Sequence, residues 1–173
     1  GDRYIRYPLW LLYDAYFTKD SEGRTSIDRL QLPKTAFCSF VYSNPKADPV
    51  RRRFFEELCA YKMVDAGGKL YNNIGKRVED KRLFEGSHKF AIAFENVSQE
   101  GYTTEKLIEA FAAGCVPVYW GDSAVSRVFN PEAFIDCSGY TVGEMVGRVK
   151  AVDRDDGLYE RMRQAPVFCR PDY

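Results

Sequence analysis

One histidine, His88, and no cysteine pair in C-x-x-C spacing leave this sequence without the ligand pattern of a zinc site. The five cysteines, Cys38, Cys59, Cys115, Cys137 and Cys169, are scattered and odd in number. They read as buried thiols rather than a secreted disulfide framework, and a reducing compartment, the cytoplasm, is expected. Neither sign of charge is in excess, since 25 Lys and Arg balance 25 Asp and Glu. No global field draws the chain to nucleic acid, so any anion site has to be local. No apolar run approaches the roughly 20 residues of a membrane span, and no signal peptide opens the sequence. Gly67-Gly68 and Gly75 lack the Lys-Ser/Thr of a phosphate loop and read as turns, which disfavours a Walker-type ATPase. No G-x-G-x-x-G follows a strand pattern, which counts against a dehydrogenase or methyltransferase of similar layout.

What is present suits one compact domain with a short appendage: 173 residues, 45% of them apolar. The chain begins at Gly1 rather than at a methionine and is read as a piece of something longer. Aromatics at Tyr4, Tyr7, Trp10, Tyr13 and Tyr16 recur every three residues, a spacing that fits an α-helical face poorly and is interrupted by Pro8. A helix docked on its own domain and a connector touching a missing domain both remain open. Residues 18–35 are polar and turn-rich and read as a loop, so residues 1–35 are an aromatic connector and loop and residues 36–173 the domain proper.

From Ala36 onward strand and helix patterns alternate. Residues 37–42 read as a buried strand, 50–61 as a helix, 62–65 as a short strand, and 66–75 as a loop. The continuous apolar run 89–94 is the best central strand. Residues 104–113 read as a helix closed by Gly114, 116–119 and 133–136 as strands, and 141–152 and 158–164 as helices. This order predicts an α/β, Rossmann-like fold, a mostly parallel sheet with helices on both faces and a ligand crevice at the carboxyl ends of the strands.

Two charged positions stand out. Arg51 precedes Phe54, Phe55 and Leu58 by three, four and seven residues, so it shares their apolar face, and its i+4 neighbour is not an acid. A guanidinium there needs a partner from outside the helix, either a phosphate or a distant carboxylate. Arg52 and Arg53, by contrast, pair ordinarily with Glu56 and Glu57. The second position is Lys106, next to Glu105 at a helix start capped by Thr103 or Thr104. A cation is disfavoured there by the helix dipole, unless it pairs with Glu109 or faces a phosphate bound at the helix start. With such a phosphate in place, Glu105 would be free to hold ribose hydroxyls. Asp153-Arg-Asp155 has the form used by metal-dependent sugar transferases, but its charged context marks a solvated connector, so no metal is expected. His88 lacks an acid or serine in motif context and reads as a surface or edge residue.

Three stretches carry a family resemblance: Phe90-Ala-Ile-Ala-Phe-Glu-Asn96, Gly101-Tyr-Thr-Thr-Glu-Lys106 and Ala113-Gly-Cys-Val-Pro-Val-Tyr-Trp-Gly121. They resemble the α-1,3-fucosyltransferase signature of glycosyltransferase family 10, most closely in its bacterial style. Weaker similarity runs from Phe40-Val-Tyr-Ser-Asn-Pro45 through Arg51, Val64-Asp65 and Tyr71-Asn-Asn-Ile-Gly75 to Phe129-Asn-Pro131, covering residues 36–165. The resemblance implies the C-terminal, GDP-fucose-binding half of a two-domain GT-B enzyme that transfers fucose with inversion to a GlcNAc or glucose hydroxyl of an oligosaccharide acceptor. It further implies that Arg51 and Lys106 contact the pyrophosphate, Glu105 the ribose, and Asn96 and Tyr102 the surroundings of the phosphates. No obligatory metal or other cofactor is implied. The general base is expected in an N-terminal, acceptor-binding domain outside this chain, so no catalytic residue is assigned here. A bacterial parent would sit in the cytoplasm, membrane-associated through its other parts, and a eukaryotic one in the Golgi lumen. A non-catalytic nucleotide- or carbohydrate-binding module of the same fold is the alternative.

Overall fold

The structure, a computed structural model, describes residues 8–170, so Tyr4 and Tyr7 lie outside the described residues. The chain enters through two 3₁₀ turns, Leu9–Leu12 and Asp14–Tyr16, followed by an antiparallel hairpin of β1 (Phe17–Lys19) and β2 (Thr25–Ile27). At 3.0 residues per turn, these turns suit the three-residue spacing of Trp10, Tyr13 and Tyr16 better than an α-helix would. Trp10 is buried against Phe17, Phe129 and Phe168, so this segment docks on its own domain. The hairpin replaces the loop expected over 18–35. Its three-residue strands carry only one buried side chain, Ile27, too little apolar pattern to register in the sequence.

The domain is built on five parallel strands, β3 (Ala36–Phe40), β4 (Val64–Ala66), β5 (His88–Phe94), β6 (Val116–Trp120) and β7 (Ile135–Asp136), in the order β4-β3-β5-β6-β7. Strand β5 alternates large and small: Phe90, Ile92 and Phe94 on one face, Ala91 and Ala93 on the other. Against the large face pack α1 (Pro49–Cys59), α4 (Val142–Asp153) and α5 (Asp156–Gln164). The alanine face lets α3 (Glu105–Ala112) lie close, with α2 (Lys81–Gly86) beside it. Helix α2 was absent from the sequence expectation because six residues hold no apolar period.

Local signals set the helix ends. Asp48 accepts from Val50 N at 2.9 Å with Pro49 in the first turn of α1. Thr141 and Glu144 form a reciprocal capping box on α4. Gly114 follows α3 at φ 74°, a left-handed conformation that closes the helix. The chain runs from β3 outward to β4, then crosses back over β3 to begin β5. The strand order therefore reverses between β3 and β5, and the crevice at their carboxyl ends is the switch point where open sheets of this class hold ligands.

Cys38, Cys115 and Cys137 are buried, as read, whereas Cys59 is half-buried and Cys169 is exposed just after the Phe129–Phe168 bridge at the chain's end. A buried acid on α2 yields a pH-dependent expectation. Glu85 is 2% exposed, 3.9 Å from Lys81, and one of its oxygens has no hydrogen-bond partner. Burial pushes its carboxyl up to about 7, against the opposing pull of Lys81. Between the ordinary value of 4.5 and about 7 the folded state retains a proton that the unfolded state has lost, so stability falls as pH rises through that window. Glu85→Gln should raise stability at pH 8, by an amount on the order of 2 kcal/mol, and the gain should vanish near pH 4.5 in urea titrations.

Candidate functional site

Where β3 ends, Tyr42 turns inward and joins the two strands that flank the crevice. Its hydroxyl accepts from Phe94 N at 2.7 Å and donates to Ile92 O at 2.9 Å. The face of the same ring lies 4.1 Å beneath the Arg51 guanidinium, a cation–π contact. Arg51 is 1% exposed, and its Nη2 donates to Phe94 O (3.2 Å), Glu95 O (2.9 Å) and Asn96 Oδ1 (2.7 Å). Its partner from outside the helix is thus a set of carbonyl oxygens and an aromatic face. Among the described residues no carboxylate pairs with it, and its Nε and Nη1 are buried without a hydrogen-bond acceptor. A buried cation with unused donors is expensive to keep unless something acceptor-rich completes it.

On the other side of Asn96 lies the opposite charge. Glu95 is fully buried, and its Oε1 accepts from Thr104 N at 2.7 Å while its Oε2 accepts from Thr104 Oγ1 (2.7 Å) and Lys106 Nζ (3.1 Å). The Glu95 carboxylate, not a threonine hydroxyl, caps α3. Burial raises its pKa, with Lys106 and the Thr104 donors opposing. The position at the helix start where a phosphate was expected is therefore partly taken by a carboxylate. Thr103 points elsewhere, donating to Asp122 Oδ2 at 2.9 Å.

Lys106 does not pair with Glu109. Its Nζ sits 3.1 Å from Glu95, 2.9 Å from Thr104 Oγ1 and 3.1 Å from Glu105 Oε1, while Glu109 is taken by Lys81 at 2.6 Å. Although burial works the other way, Lys106 and neighbouring hydrogen bonds hold the Glu105 carboxyl below its ordinary range. These groups enclose a cleft of ≈ 240 Å³ lined by Tyr42, Ser43, Lys81, Asn96, Glu105 and Lys106 among others. The structure thus brings together Asn96, Glu105 and Lys106 at the cleft wall with Arg51 beneath Asn96. Tyr102 is half-buried on the loop after Gly101 and is not part of this lining. Lys81 and Glu95 were missed as site residues. Lys81 sits on an unanticipated helix, whereas an acid ending a buried strand, nine residues before Thr104, was a signal available in the sequence.

The comparison with known proteins decides the family. The family model described as glycosyltransferase family 10 (fucosyltransferase) C-term matches residues 32–164. The chain belongs to glycosyltransferase family 10. It is 41% identical over 103 residues to an α-(1,3)-fucosyltransferase of Helicobacter pylori, covering 60% of this chain and 21% of that protein. A putative fucosyltransferase of Acanthamoeba polyphaga mimivirus is 30% identical over 180 residues, covering 95% of this chain and 30% of its own length. A crystal structure of an α1,3-fucosyltransferase with GDP-fucose superposes with a TM-score of 0.73 at 34% identity, over 76% of this chain and 39% of that one. This chain therefore spans less than two fifths of each of these proteins.

The family 10 match includes every candidate site residue and leaves out the aromatic entry segment. Its signature has a physical content in this chain. A Cβ at Gly121 would lie 2.5 Å from the Glu95 Cγ, so the glycine after β6 is the room that the Glu95 side chain needs to reach α3. Gly68 likewise clears the backbone of Tyr42. The motifs outside the cleft turn out to be structural. Asp153 is buried, not solvated: it accepts from Tyr61 Oη (2.8 Å) and Lys62 Nζ (2.6 Å) and lies 3.3 Å from Lys89, tying α4 to the far end of the sheet. Asp155 caps α5 through Leu158 N at 2.8 Å. His88 is also buried, held between Asp65 (3.0 Å) and Phe84 O (2.8 Å), because β5 begins inside the sheet and not at its edge. Among the described residues no group of three or more His, Cys, Asp or Glu is placed to hold a metal.

Glu95→Ala should strand the Thr104 N–H and Lys106 in a buried setting and cost about 2–4 kcal/mol of unfolding free energy. Glu95→Gln, which keeps the acceptor and loses the charge, should recover part of that loss in the same denaturant titration.

Proposed function

We propose that this chain is the donor-binding domain of a fucosyltransferase, the C-terminal half of a GT-B pair, and that it holds GDP-fucose in the β3–β5 crevice. The observation that carries this reading is Arg51, a buried guanidinium with unused donors beneath the wall of a cleft that also presents Lys106. In this reading Arg51 and Lys106 receive the pyrophosphate, Asn96 orients it, and Glu105 accepts hydrogen bonds from the ribose. Tyr102 acts from the loop near the phosphates. Positive charge preorganised around the leaving GDP lowers the barrier as the fucose C1 becomes cation-like. In this reading residues 36–173 are the donor domain, and residues 1–35 are an aromatic connector and loop before it.

Inverting transfer to an oligosaccharide hydroxyl, with α-1,3 linkage to GlcNAc or glucose, needs a base to take the acceptor proton. The carboxylates near the cleft, Glu95, Glu105 and Glu109, are each engaged by a lysine. The base and the acceptor cleft are therefore assigned to a facing N-terminal domain, in keeping with the fraction of its relatives that this chain spans. The cleft, at ≈ 240 Å³, also falls below the roughly 300–1,000 Å³ usual for a complete small-molecule site, as expected of one wall of a two-domain cleft.

Calorimetry tests the reading. GDP should bind, ADP should bind less tightly, and EDTA should change neither. Arg51→Ala should weaken GDP by about 1.5–3 kcal/mol with the fold retained, and Arg51→Lys should recover part. Arg52→Ala, which removes an exposed pair with Glu56 at 2.8 Å, should be neutral in both binding and melting. The chain by itself should transfer no fucose. Equal heats from GDP and ADP, or an Arg51→Ala protein that melts lower yet binds GDP unchanged, would overturn the donor-site assignment.

A further inference from the structure

The entry segment lies outside the stretch matched to the family, yet it touches a residue of the cleft wall. The 3₁₀ repeat stacks Trp10, Tyr13 and Tyr16 toward α3. Trp10 anchors one end among Phe17, Phe129 and Phe168. Tyr16 anchors the other, its ring 5.7 Å from the Arg82 guanidinium and its carbonyl accepting from Asp28 N at 3.0 Å. Between these anchors the Tyr13 hydroxyl meets Glu105 Oε2 at 3.4 Å, on the first residue of α3. Lys106 holds the other oxygen, Oε1, at 3.1 Å.

We propose that Tyr13 is a positioning residue of the nucleotide site, its hydroxyl fixing the Glu105 carboxylate in the orientation that receives the ribose hydroxyls. The proposal rests on the reading of Glu105 as the ribose contact. A glutamate in the first turn of a helix has free rotamers, and an acceptor held from both sides loses less entropy when a ligand hydroxyl arrives. Tyr13 and Lys106 approach opposite oxygens of the carboxylate, which fixes the plane of the group. Burial and the neighbouring Glu105 charge push the Tyr13 phenol up, so it remains a donor at neutral pH. Tyr13 touches Glu105 and not the reacting atoms, which makes its role one of placement.

The test uses Tyr13→Phe, Glu105→Gln and the double variant, titrated with GDP and with 2′,3′-dideoxy-GDP, which lacks the hydroxyls in question. Tyr13→Phe should weaken GDP by about 3- to 10-fold, the scale of one hydrogen bond, and leave dideoxy-GDP unchanged. The double variant should bind GDP no more weakly than Glu105→Gln alone, since the two act as one unit. Unliganded Tyr13→Phe should melt with the parent, because its ring packing is kept. An equal loss for both nucleotides, no loss for GDP, or additive losses in the double variant would overturn the role of Tyr13 while a hydroxyl-selective loss in Glu105→Gln left the ribose contact standing. If Glu105→Gln shows no selectivity for the hydroxyls, the ribose contact falls and this proposal falls with it.

Discussion

The buried carboxylate of Glu95 is the constraint around which the crevice is organised. It stands at the carboxyl end of the central strand, fully removed from water, where an unpaired charge would cost several kcal/mol. Three donors make its burial tolerable: the Thr104 amide, the Thr104 hydroxyl and the Lys106 ammonium. Meeting that requirement determines where α3 starts, and so places Glu105 at the cleft wall and Lys106 over the crevice. It also dictates a residue beside it, since Gly121, just after β6, must be without a side chain for Glu95 to pass. A strand end, a helix cap, a loop and a glycine are thus consequences of one acid.

Arg51 supplies the complementary case. Its burial is made tolerable by dipoles and an aromatic face rather than by a counter-ion: the carbonyls of Phe94 and Glu95, the Asn96 amide oxygen and the Tyr42 ring. Because Tyr42 at the same time joins β3 to β5, the guanidinium is held by the framework of the switch point and has little freedom to move. A cation placed this way keeps its charge available to a ligand, whereas Lys106 is already engaged by two carboxylates. The two positive groups of the site therefore differ in kind, one rigid and lacking an anionic partner, the other shared.

Much of this was legible in the sequence, for identifiable reasons. The apolar run at 89–94, the amphipathic period over α1 and the glycine after α3 are local signals, and the alternation of strand and helix followed from them. Arg51 was legible because helical periodicity places it on the apolar face, a conflict visible without coordinates. What escaped depends on contacts between distant residues. Nothing near Asp153 in sequence announces Tyr61, Lys62 and Lys89, and nothing near His88 announces Asp65, so both were read as solvent-facing. The pairing of Glu109 with Lys81 rather than Lys106 likewise needs the packing of α2 on α3, and α2 is too short to carry a pattern. The aromatic spacing in the entry segment was visible but was judged against a period of 3.6, when the chain there has a period of three.

The charges around the crevice bear on how a diphosphate is held. Arg51, Lys81 and Lys106 are its cations, and Glu95, Glu105 and Glu109 are carboxylates within the same network. Glu85, pushed up to about 7 by burial, adds a charge that is only partial at neutral pH. The constellation is thus close to neutral, and an incoming diphosphate gains little from long-range attraction. On the proposed reading its binding energy comes from short, directed hydrogen bonds, for which the unused Nε–H and Nη1–H of Arg51 are donors already desolvated. On the same reading a ligand at Lys106 would compete with Glu95, so that contact would yield only the difference between a phosphate and a carboxylate partner. Under the proposed function such a domain would hold the nucleotide with modest affinity and high geometric selectivity. Exclusion of water by a facing domain would strengthen every one of these contacts together, since each is electrostatic and each is weakened by solvent at the open side of the cleft.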